Sequence, residues 1–260
     1  MKIIGIDGYN SYLGNSFYKD FGNRNKIYRF KKNIKNINQI NKFIHNKKIN
    51  IFIRIGGLSR HKCISSPHDC YKINYLANKK LVDQLKKKKN IKLIFISSSH
   101  VYSSSKLKVK ENSLLKPSNI YGKYKLKSEN YIKKNLNDYL IIRVFNIYGK
   151  KQPKGFFIPD IKNKILNAKP IKINNSIRDF IHVKEVSRFL NFSIRKNING
   201  IVNLGSGKST SLISLIKNIN KIHKIKPQIF ITNKKDKLVS NNSKIKKLGF
   251  NVKEYKNFNI

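Results

Sequence analysis

The stretch that decides the fold is KIIGIDGYNSYLG, residues 2–14. Its first half, Lys2–Asp7, is an apolar run with the length of a short buried strand. Its second half carries Gly8 and Gly14, which suit a tight turn and the close approach of a helix N-terminus to a pyrophosphate. The middle glycine of that motif is replaced by Ser11. A plain strand–turn–helix would also explain these residues, but the order of strand, turn and helix favours a dinucleotide-binding turn.

Strands and helices alternate along the rest of the first 150 residues. Apolar runs predict further strands at Lys26–Phe30, Ile51–Ile55, Lys92–Ser97 and Tyr139–Phe145. Apolar residues at helical spacing predict helices at about Gly14–Phe21, Ile37–His45, Asp69–Lys87 and Tyr121–Lys134. This alternation predicts an α/β fold with a doubly wound parallel sheet, as in Rossmann domains.

Several helix-breaking residues interrupt the alternation after about residue 150, namely Pro153, Gly155, Pro159 and Pro170. We therefore expect a dinucleotide-binding domain over residues 1–150. Residues 151–260 are expected to form a smaller substrate-binding lobe, with some segments returning to the first domain.

Tyr121 and Lys125 are four residues apart, about two dozen residues after the serine run Ser97–Ser99. Residues with this spacing lie on one face of a helix, one turn apart. A phenol ionises near pH ~10, and a cation one turn away favours the phenolate. A serine hydroxyl from a neighbouring strand end can hold a substrate oxygen beside the tyrosine. Together the three residue types suit hydride transfer to or from a carbonyl.

The formal charge of +45 is at first sight typical of a nucleic-acid-binding protein. However, only eight of the 57 basic residues are arginine, and the lysines are spread over the whole chain. Nucleic-acid readers usually use arginine on a defined patch interleaved with aromatic residues. A/T-rich codons also explain the abundance of Lys, Asn and Ile, so we expect no nucleic-acid partner. Acidic ligands, including pyrophosphates, are still expected to be attracted at low salt.

The two cysteines, Cys63 and Cys70, do not have a usual zinc spacing, and we expect free thiols and no bound metal. The apolar run at the N-terminus is too short for a signal peptide and is followed directly by Asp7. No apolar stretch approaches the length of a membrane span. We therefore expect a cytoplasmic protein without a membrane partner.

Further motifs appear in a fixed order along the chain: Asn74, FISSSHVY at 95–102, Pro117, YGKYK at 121–125, Glu129, RVFNIYG at 143–149, RDFIHV at 178–183 and NLGSG at 203–207. Together with the glycine turn, they resemble the extended short-chain dehydrogenase/reductase family, in its nucleotide-sugar epimerase and dehydratase group. The resemblance covers about 200 residues.

The resemblance implies catalytic roles for three residues. Tyr121 would donate or accept the proton, and Lys125 would lower the pKa of Tyr121 and bind the nicotinamide ribose. Ser98 would hydrogen-bond the reacting oxygen, with Ser97 and Ser99 as the nearby alternatives.

The resemblance also implies binding residues. The cofactor would contact the turn and the start of the first helix, at Gly8, Ser11, Tyr12, Leu13 and Gly14. Ser99, Asn146 and Arg178 would contact the substrate, with Arg178 binding its diphosphate through a forked guanidinium. A local ion pair between Arg178 and Asp179 that only fixes a loop is the alternative for Arg178.

The residues Ile27–Lys32, at the end of the second predicted strand, contain no acid that could bind the ribose hydroxyls of NAD. The resemblance implies NAD or NADP as the cofactor, and Lys31 favours NADP because a cation suits the 2′-phosphate.

Departures from the family's pattern narrow the predicted reaction. Ser99 and His100 occupy the places of the Asp-Glu pair of the family's dehydratases, which disfavours 4,6-dehydration. We expect 4-keto reduction or C4 epimerisation of a nucleotide-linked sugar, by a homodimer formed through helices that include 69–87 and 121–135.

Two features of the sequence suggest alternative functions. A non-catalytic protein of the same fold that binds RNA or senses a dinucleotide would explain the charge but not the Ser98, Tyr121 and Lys125 set. The run GSGKST at 205–210 is similar to the end of a Walker A loop, but Val202 stands where that motif requires glycine.

Overall fold

The structure is a computed structural model and describes residues 2–23, 26–31, 34, 36–88 and 90–255. Its strands are β1 Ile3–Asp7, β2 Lys26–Arg29, β3 Ile51–Arg54, β4 Lys92–Ser98, β5 Tyr139–Val144, β6 Asn146–Tyr148, β7 Ile171–Arg178, β8 Phe180–His182, β9 Gly200–Leu204, β10 Thr210–Ser211 and β11 Ile229–Leu238. Its α-helices are α1 Tyr12–Phe21, α2 Ile37–Asn46, α3 Arg60–Ser65, α4 Pro67–Cys70, α5 Ala77–Lys86, α6 Ile120–Asn135, α7 Phe157–Leu166, α8 Val183–Arg195, α9 Leu212–His223 and α10 Ser243–Lys247.

The main sheet has six parallel strands in the order β2-β1-β3-β4-β5-β9. Strands β3 and β4 are buried along their whole length, as expected for parallel strands covered by helices on both faces. The predicted α/β fold with a doubly wound parallel sheet is confirmed. The sixth strand, β9, was not predicted.

Each face of this sheet has its own apolar core. On one face, α1 and α8 pack through residues such as Phe17 and Phe189. On the other face, α2, α5 and α6 contribute Ile40, Leu81 and Ile132. Because the six strands are parallel, their carboxyl ends lie at one edge of the sheet. Open α/β sheets bind ligands at this edge.

Two smaller sheets follow the fifth strand of the main sheet. One has the order β10-β7-β11 and packs with α7 and α9 around a third core, and the other pairs β6 with β8. Because β9 lies in the main sheet, a segment after residue 150 returns to it. The division into a 1–150 domain and a 151–260 lobe stays a prediction.

The single helix predicted over Asp69–Lys87 is instead three segments. Pro67 starts the short helix α4, and a π-helical turn over Tyr71–Leu76 leads into α5. Helical periodicity does not distinguish a π-helical turn from an α-helix at this length. Such turns are rare and are frequently found at functional sites.

The expectation of free thiols at Cys63 and Cys70 was wrong, because the two residues form a buried disulfide. Helix α3 carries Cys63 and ends at Ser65, and α4 then turns back and carries Cys70 at its end. The two Cα atoms are 4.8 Å apart, within the range that a disulfide spans. This turn between two short helices is not visible in the spacing of the cysteines.

The disulfide gives a direct chemical prediction. Cells are lysed in iodoacetamide without reductant, and the protein is then unfolded in the same reagent. It should gain no mass at Cys63 or Cys70, because a disulfide does not react with iodoacetamide. The same protein, reduced first, should gain a carbamidomethyl group on each cysteine, as measured by intact mass. Alkylation of both cysteines in the unreduced sample would contradict the disulfide.

Within the described ranges, no helix is long and apolar enough to cross a membrane. The same residues contain no group of His, Cys, Asp and Glu side chains that could hold a metal ion.

Candidate active site

The site begins with the serine run at the end of β4. Ser98 is the last residue of this strand, and Ser99 starts a 3-10 turn that ends at Val101. The amide of His100 donates a hydrogen bond to the Ser98 hydroxyl at 3.2 Å. This contact fixes Ser98 at the carboxyl edge of the main sheet.

Ser97 is directed elsewhere. Its hydroxyl donates a hydrogen bond to the carboxylate of Glu129 beneath the site. Of the three serines considered for the reacting oxygen, Ser98 is therefore the one hydrogen-bonded to Tyr121.

Helix α6 brings Tyr121 to this serine. Asn119 caps the helix by accepting a hydrogen bond from the amide of Gly122 at 3.0 Å. A Cβ atom at Gly122 would lie 2.1 Å from the carbonyl oxygen of His100, so only glycine allows α6 to start this close to the turn after β4. As a result, the half-buried Tyr121 hydrogen-bonds to Ser98, and its ring packs edge-on against His100 with 5.8 Å between ring centres.

Lys125 lies one turn further along α6 and is buried. Its Nζ atom donates a hydrogen bond to the carbonyl oxygen of Ile96 at 2.8 Å and lies 5.8 Å from the centre of the Tyr121 ring. The structure thus brings together the three residues predicted to be catalytic, Ser98, Tyr121 and Lys125.

Burial controls the charge of Lys125. Burial first, and then the guanidinium of Arg54, lower the pKa of the ammonium group, whereas Asp7 and Glu129 raise it, and together these effects place it at about 7. A lysine with this pKa can gain and lose a proton near neutral pH.

The pKa of Tyr121 is raised, mainly because its phenolate is desolvated, while the hydrogen bond with Ser98 lowers it. This direction is opposite to the lowering expected from Lys125. The expected lowering by Lys125 was therefore wrong, and desolvation of the phenolate dominates the pKa of Tyr121.

Lys125 should make stability depend on pH. Its pKa is about 7 in the folded protein and near 10.5 in the unfolded chain, so the stability that depends on this group is complete above about pH 10.5, falls as pH falls, and is fully lost below about pH 7. Relative to wild type, Lys125→Met should therefore raise the free energy of unfolding more at about pH 6 than at about pH 9. Urea unfolding at both pH values measures this difference.

Lys127→Met is the matched control, because Lys127 lies on the same helix and is exposed. Its effect on the free energy of unfolding should be the same at both pH values. An effect of Lys125→Met that does not change with pH would contradict the lowered pKa of Lys125.

A buried ion pair lies beneath the site. Nη2 of Arg143, on β5, lies 2.7 Å from Oε2 of Glu129, on α6, and their side chains are 1% and 0% exposed. Arg143 also donates to the Tyr102 hydroxyl at 2.7 Å. These contacts tie α6 to β5 and to the segment after β4, which holds Tyr121 and Ser98 in register.

A second buried pair joins Asp7, at the end of β1, to Arg54, at the end of β3. Asp7 also accepts hydrogen bonds from the amides of Ile55 and Gly56 at 3.0 and 3.2 Å. Sequence reasoning missed this pair, although Arg54 stands inside an apolar run and was therefore a visible signal of a buried charge that needs a partner.

The glycine turn has the geometry of a phosphate-binding turn. Gly8 has a φ of +66°, and a Cβ atom there would lie 2.4 Å from the amide nitrogen of Gly56. A Cβ atom at Gly14 would lie 2.1 Å from the carbonyl oxygen of Gly8. Ser11 stands where the usual motif has glycine and caps α1 by accepting from the amide of Gly14 at 3.1 Å.

Tyr12 and Leu13 form the start of α1, where the first backbone amides of a helix have no partner within the helix. The Leu13 side chain belongs to the core, and the Tyr12 hydroxyl donates to the carbonyl oxygen of Lys150 at 3.3 Å. For Tyr12 and Leu13, the backbone amide and not the side chain is therefore the group placed to bind a phosphate. The five residues predicted around the turn lie together at the end of β1.

The end of β2 is basic and aromatic. The guanidinium carbon of Arg29 lies 4.7 Å from the ring centre of Tyr18 and 5.3 Å from that of Tyr9. Lys31 follows β2 and is exposed, while Lys32 lies outside the described residues.

Asn146 and Arg178, which were predicted to contact the substrate, both form hydrogen bonds within the protein. The Asn146 side chain donates to the carbonyl oxygen of Asp179 at 2.8 Å. Arg178 holds the carboxylate of Asp236 with both terminal nitrogens, one of them at 2.9 Å from Oδ2. The alternative considered for Arg178 named the wrong acid, since its partner is Asp236 and not Asp179.

Asp179 instead organises the loop that contains Gly205 and Gly207. Its buried carboxylate accepts hydrogen bonds from the amides of Ser206, Gly207 and Ser240 at 2.7, 3.0 and 3.0 Å. The amides of Ser206 and Gly207, which a phosphate-binding loop would need, are thus directed at a carboxylate, in agreement with the rejection of a Walker A loop.

Comparison with known proteins agrees with this geometry. Residues 14–205 match the model of the NAD dependent epimerase/dehydratase family. An ADP-L-glycero-D-manno-heptose-6-epimerase of Brachyspira hyodysenteriae is 26% identical over 205 residues, which are 73% of this chain and 64% of that protein. A dTDP-4-dehydro-6-deoxyglucose reductase of Escherichia coli is 36% identical over 140 residues, 49% of this chain and 44% of that protein. The chain thus matches less than two thirds of the length of either relative.

Solved structures share the fold. The crystal structure of a UDP-glucose 4-epimerase of Thermus thermophilus in complex with NAD superposes with a TM-score of 0.84, covering 98% of this chain and 95% of that one at 14% identity. Since the family model covers most of the chain and the sheet, glycine turn and serine–tyrosine–lysine cluster have the expected arrangement, this chain belongs to the NAD-dependent epimerase/dehydratase family.

Proposed function

We propose that the protein transfers a hydride between a nicotinamide dinucleotide and a carbon of a nucleotide-linked sugar, in a 4-keto reduction or a C4 epimerisation. The observation that carries this proposal is the contact of Tyr121 with Ser98 above the buried Lys125, at the carboxyl end of β4. The glycine turn, which suits a pyrophosphate, lies at the same edge of the sheet.

Each of the three residues has a distinct role in this proposal. The bound dinucleotide would give the hydride to the carbonyl carbon or take it from the alcohol carbon. Tyr121 gives its hydroxyl proton to the sugar oxygen in reduction and takes that proton in oxidation. Ser98 donates a hydrogen bond to the same oxygen and aligns it with Tyr121. Lys125 supplies a cation one turn below the phenol and can release a proton near neutral pH, since its pKa is about 7.

The residues at the end of β1 fit a dinucleotide. The absence of side chains at Gly8 and Gly14 allows the turn to pack closely against Gly56 and against the start of α1, and the amides of Tyr12 and Leu13 lie at the N-terminus of that helix, which favours anions. We infer NADP rather than NAD, because Arg29 and Lys31 stand at the end of β2 and suit a 2′-phosphate.

His100 supports a reaction without dehydration. Burial, Arg60 and Arg178 lower its pKa to about 4, so the imidazole is neutral at neutral pH. An Asp-Glu pair, which dehydration in this family uses, is replaced here by Ser99 and this neutral ring.

The substrate's nucleotide is proposed to lie against the smaller lobe, residues 151–260. A homodimer is proposed through the helices that carry 69–87 and 121–135. Its support is an aromatic cluster of half-buried rings on adjoining helical segments. In this cluster the ring centres of Tyr71 and Tyr124 are 5.5 Å apart, and the Tyr75 ring stacks on that of Tyr124 with 6.4 Å between ring centres.

The proposed function is tested with the purified protein, NADPH or NADH, and a set of 4-keto and 4-hydroxy nucleotide sugars. We expect conversion of at least one nucleotide sugar and faster reduction with NADPH than with NADH. Binding of RNA with a steep dependence on salt, without conversion of any nucleotide sugar, would favour the non-catalytic alternative instead.

A further inference from the structure

The loop after β3, residues 55–58, lies between the glycine turn and the buried lysine of the catalytic cluster. A Cβ atom at Gly8 would lie 2.4 Å from the amide nitrogen of Gly56. A Cβ atom at Gly57 would lie 4.0 Å from Nζ of Lys125. The loop therefore runs along the carboxyl edge of the sheet, from the turn proposed for the pyrophosphate to the residues proposed for hydride transfer.

Asn74 fastens the far end of this loop. Its side-chain oxygen accepts a hydrogen bond from the amide of Leu58 at 2.8 Å, and its Nδ2 atom donates to the carbonyl oxygen of Leu58 at 3.0 Å. A Cβ atom at Gly57 would lie 2.8 Å from the same side-chain oxygen. Asn74 is 1% exposed and belongs to the π-helical turn Tyr71–Leu76. The position of the loop therefore depends on the position of the Asn74 side chain.

The disulfide lies directly against Asn74. The Nδ2 atom of Asn74 lies 3.2 Å from Sγ of Cys63 and 3.6 Å from Sγ of Cys70. Sγ of Cys63 also lies 3.8 Å from the carbonyl oxygen of Leu58. Both cysteines are fully buried, and Cys70 directly precedes the π-helical turn. The disulfide thus contacts both residues whose hydrogen bonds fasten the loop.

Reduction of the disulfide changes this contact. A dithiol reductant breaks the sulfur–sulfur bond by thiol–disulfide exchange, so the cysteines gain two electrons and two protons while the reductant becomes a disulfide. Sulfur atoms that are no longer bonded move apart, and a close-packed interior transmits this displacement to the neighbouring Asn74 amide. The thiol of Cys63 also becomes a donor close to the carbonyl oxygen that Asn74 binds.

We propose that the Cys63–Cys70 disulfide positions the loop at residues 55–58 for dinucleotide binding, and that its reduction weakens this binding. The inference rests on the proposed function, because it takes the nicotinamide dinucleotide as the ligand of that loop. Cys63 and Cys70 are positioning residues that act through Asn74. The redox state of the pair then sets the affinity of the enzyme for its cofactor.

The test compares oxidised protein with the same protein kept reduced by dithiothreitol, after intact mass and alkylation have confirmed each state. The Kd for NADPH and for NADH, from fluorescence titration, should rise about two- to tenfold on reduction, the range for one neutral hydrogen bond. The KM for the dinucleotide should rise as well, while kcat at saturating dinucleotide should stay close to that of the oxidised protein. The chain contains no other cysteine, so the reductant acts only through this pair.

Three variants test the route through Asn74. The double variant Cys63→Ala with Cys70→Ala should bind the dinucleotide weakly with and without dithiothreitol. Asn74→Ala should bind weakly already when oxidised, and its Kd should not change on reduction, because the link is gone. Ser65→Ala is the matched control and should keep the full redox dependence. Ser65 lies between the two cysteines, is exposed, and donates its hydrogen bond to the carbonyl oxygen of Lys62.

Hydrogen exchange reports on the loop without a ligand or a substitution. The amide of Leu58 donates to Asn74 in the oxidised protein, so it should exchange faster after reduction. The amides of β4, which lies inside the main sheet, should keep their exchange rates.

The possible failures are distinguishable. Equal Kd values in oxidised and reduced protein, or an unchanged exchange rate at Leu58, would overturn the inference and leave the proposed function intact. A redox dependence that Asn74→Ala keeps in full would overturn the role of Asn74. Protein that binds neither NADPH nor NADH in either state would contradict the proposed function, and the inference with it.

Discussion

Replacing Tyr121 with phenylalanine should lower kcat for the nucleotide sugar by roughly 10²–10⁴-fold, the contribution of a well-placed proton donor. The change removes only the hydroxyl that hydrogen-bonds to Ser98 and keeps the ring against His100. Steady-state kinetics measures the loss, and the Kd for the dinucleotide, from fluorescence titration, should stay near the wild-type value.

Tyr124→Phe is the matched control, since Tyr124 lies on the same helix but stacks in the aromatic cluster with Tyr75. It should keep wild-type turnover. A Tyr121→Phe protein with wild-type kcat would remove Tyr121 from the reaction.

The second large effect concerns stability. Arg143→Met should lower the free energy of unfolding by about 3–5 kcal/mol, because it leaves the carboxylate of Glu129 buried without its cation. The same change frees the Tyr102 hydroxyl from a 2.7 Å hydrogen bond. Urea or thermal unfolding monitored by circular dichroism measures the loss.

Removing Glu129 together with Arg143 provides the comparison for the loss of stability in Arg143→Met. The double variant Glu129→Leu with Arg143→Met removes both charges, so its loss should be smaller than that of Arg143→Met alone. An exposed arginine, Arg195→Met, should change the free energy of unfolding by no more than about 0.5 kcal/mol. A loss in Arg143→Met no larger than this would show that the buried pair contributes little.

The elements with clear patterns were predicted from the sequence. The alternation of apolar runs and helical spacing predicted the first five strands of the main sheet, and the ordered motifs predicted that Ser98, Tyr121 and Lys125 would meet. This succeeded because the carboxyl ends of parallel strands share one edge, and residues four apart share one face of a helix.

The misses depend on contacts between segments distant in sequence. The partner of Arg178 is Asp236, 58 residues away on a strand that no motif marked. The disulfide depends on the turn between two short helices, α3 with six residues and α4 with four. The pKa of Tyr121 depends on burial, which a spacing of four residues does not reveal.

The most direct test of the central claim follows deuterium from the nicotinamide ring to the sugar. The protein is mixed with a keto nucleotide sugar and reduced dinucleotide that carries deuterium on its nicotinamide ring, and the products are examined by mass spectrometry. Because both a reductase and an epimerase must reduce a keto sugar, we predict that deuterium enters the sugar with wild-type protein and far more slowly with Tyr121→Phe. Binding of the dinucleotide without deuterium in any nucleotide sugar would contradict hydride transfer as the function of this site.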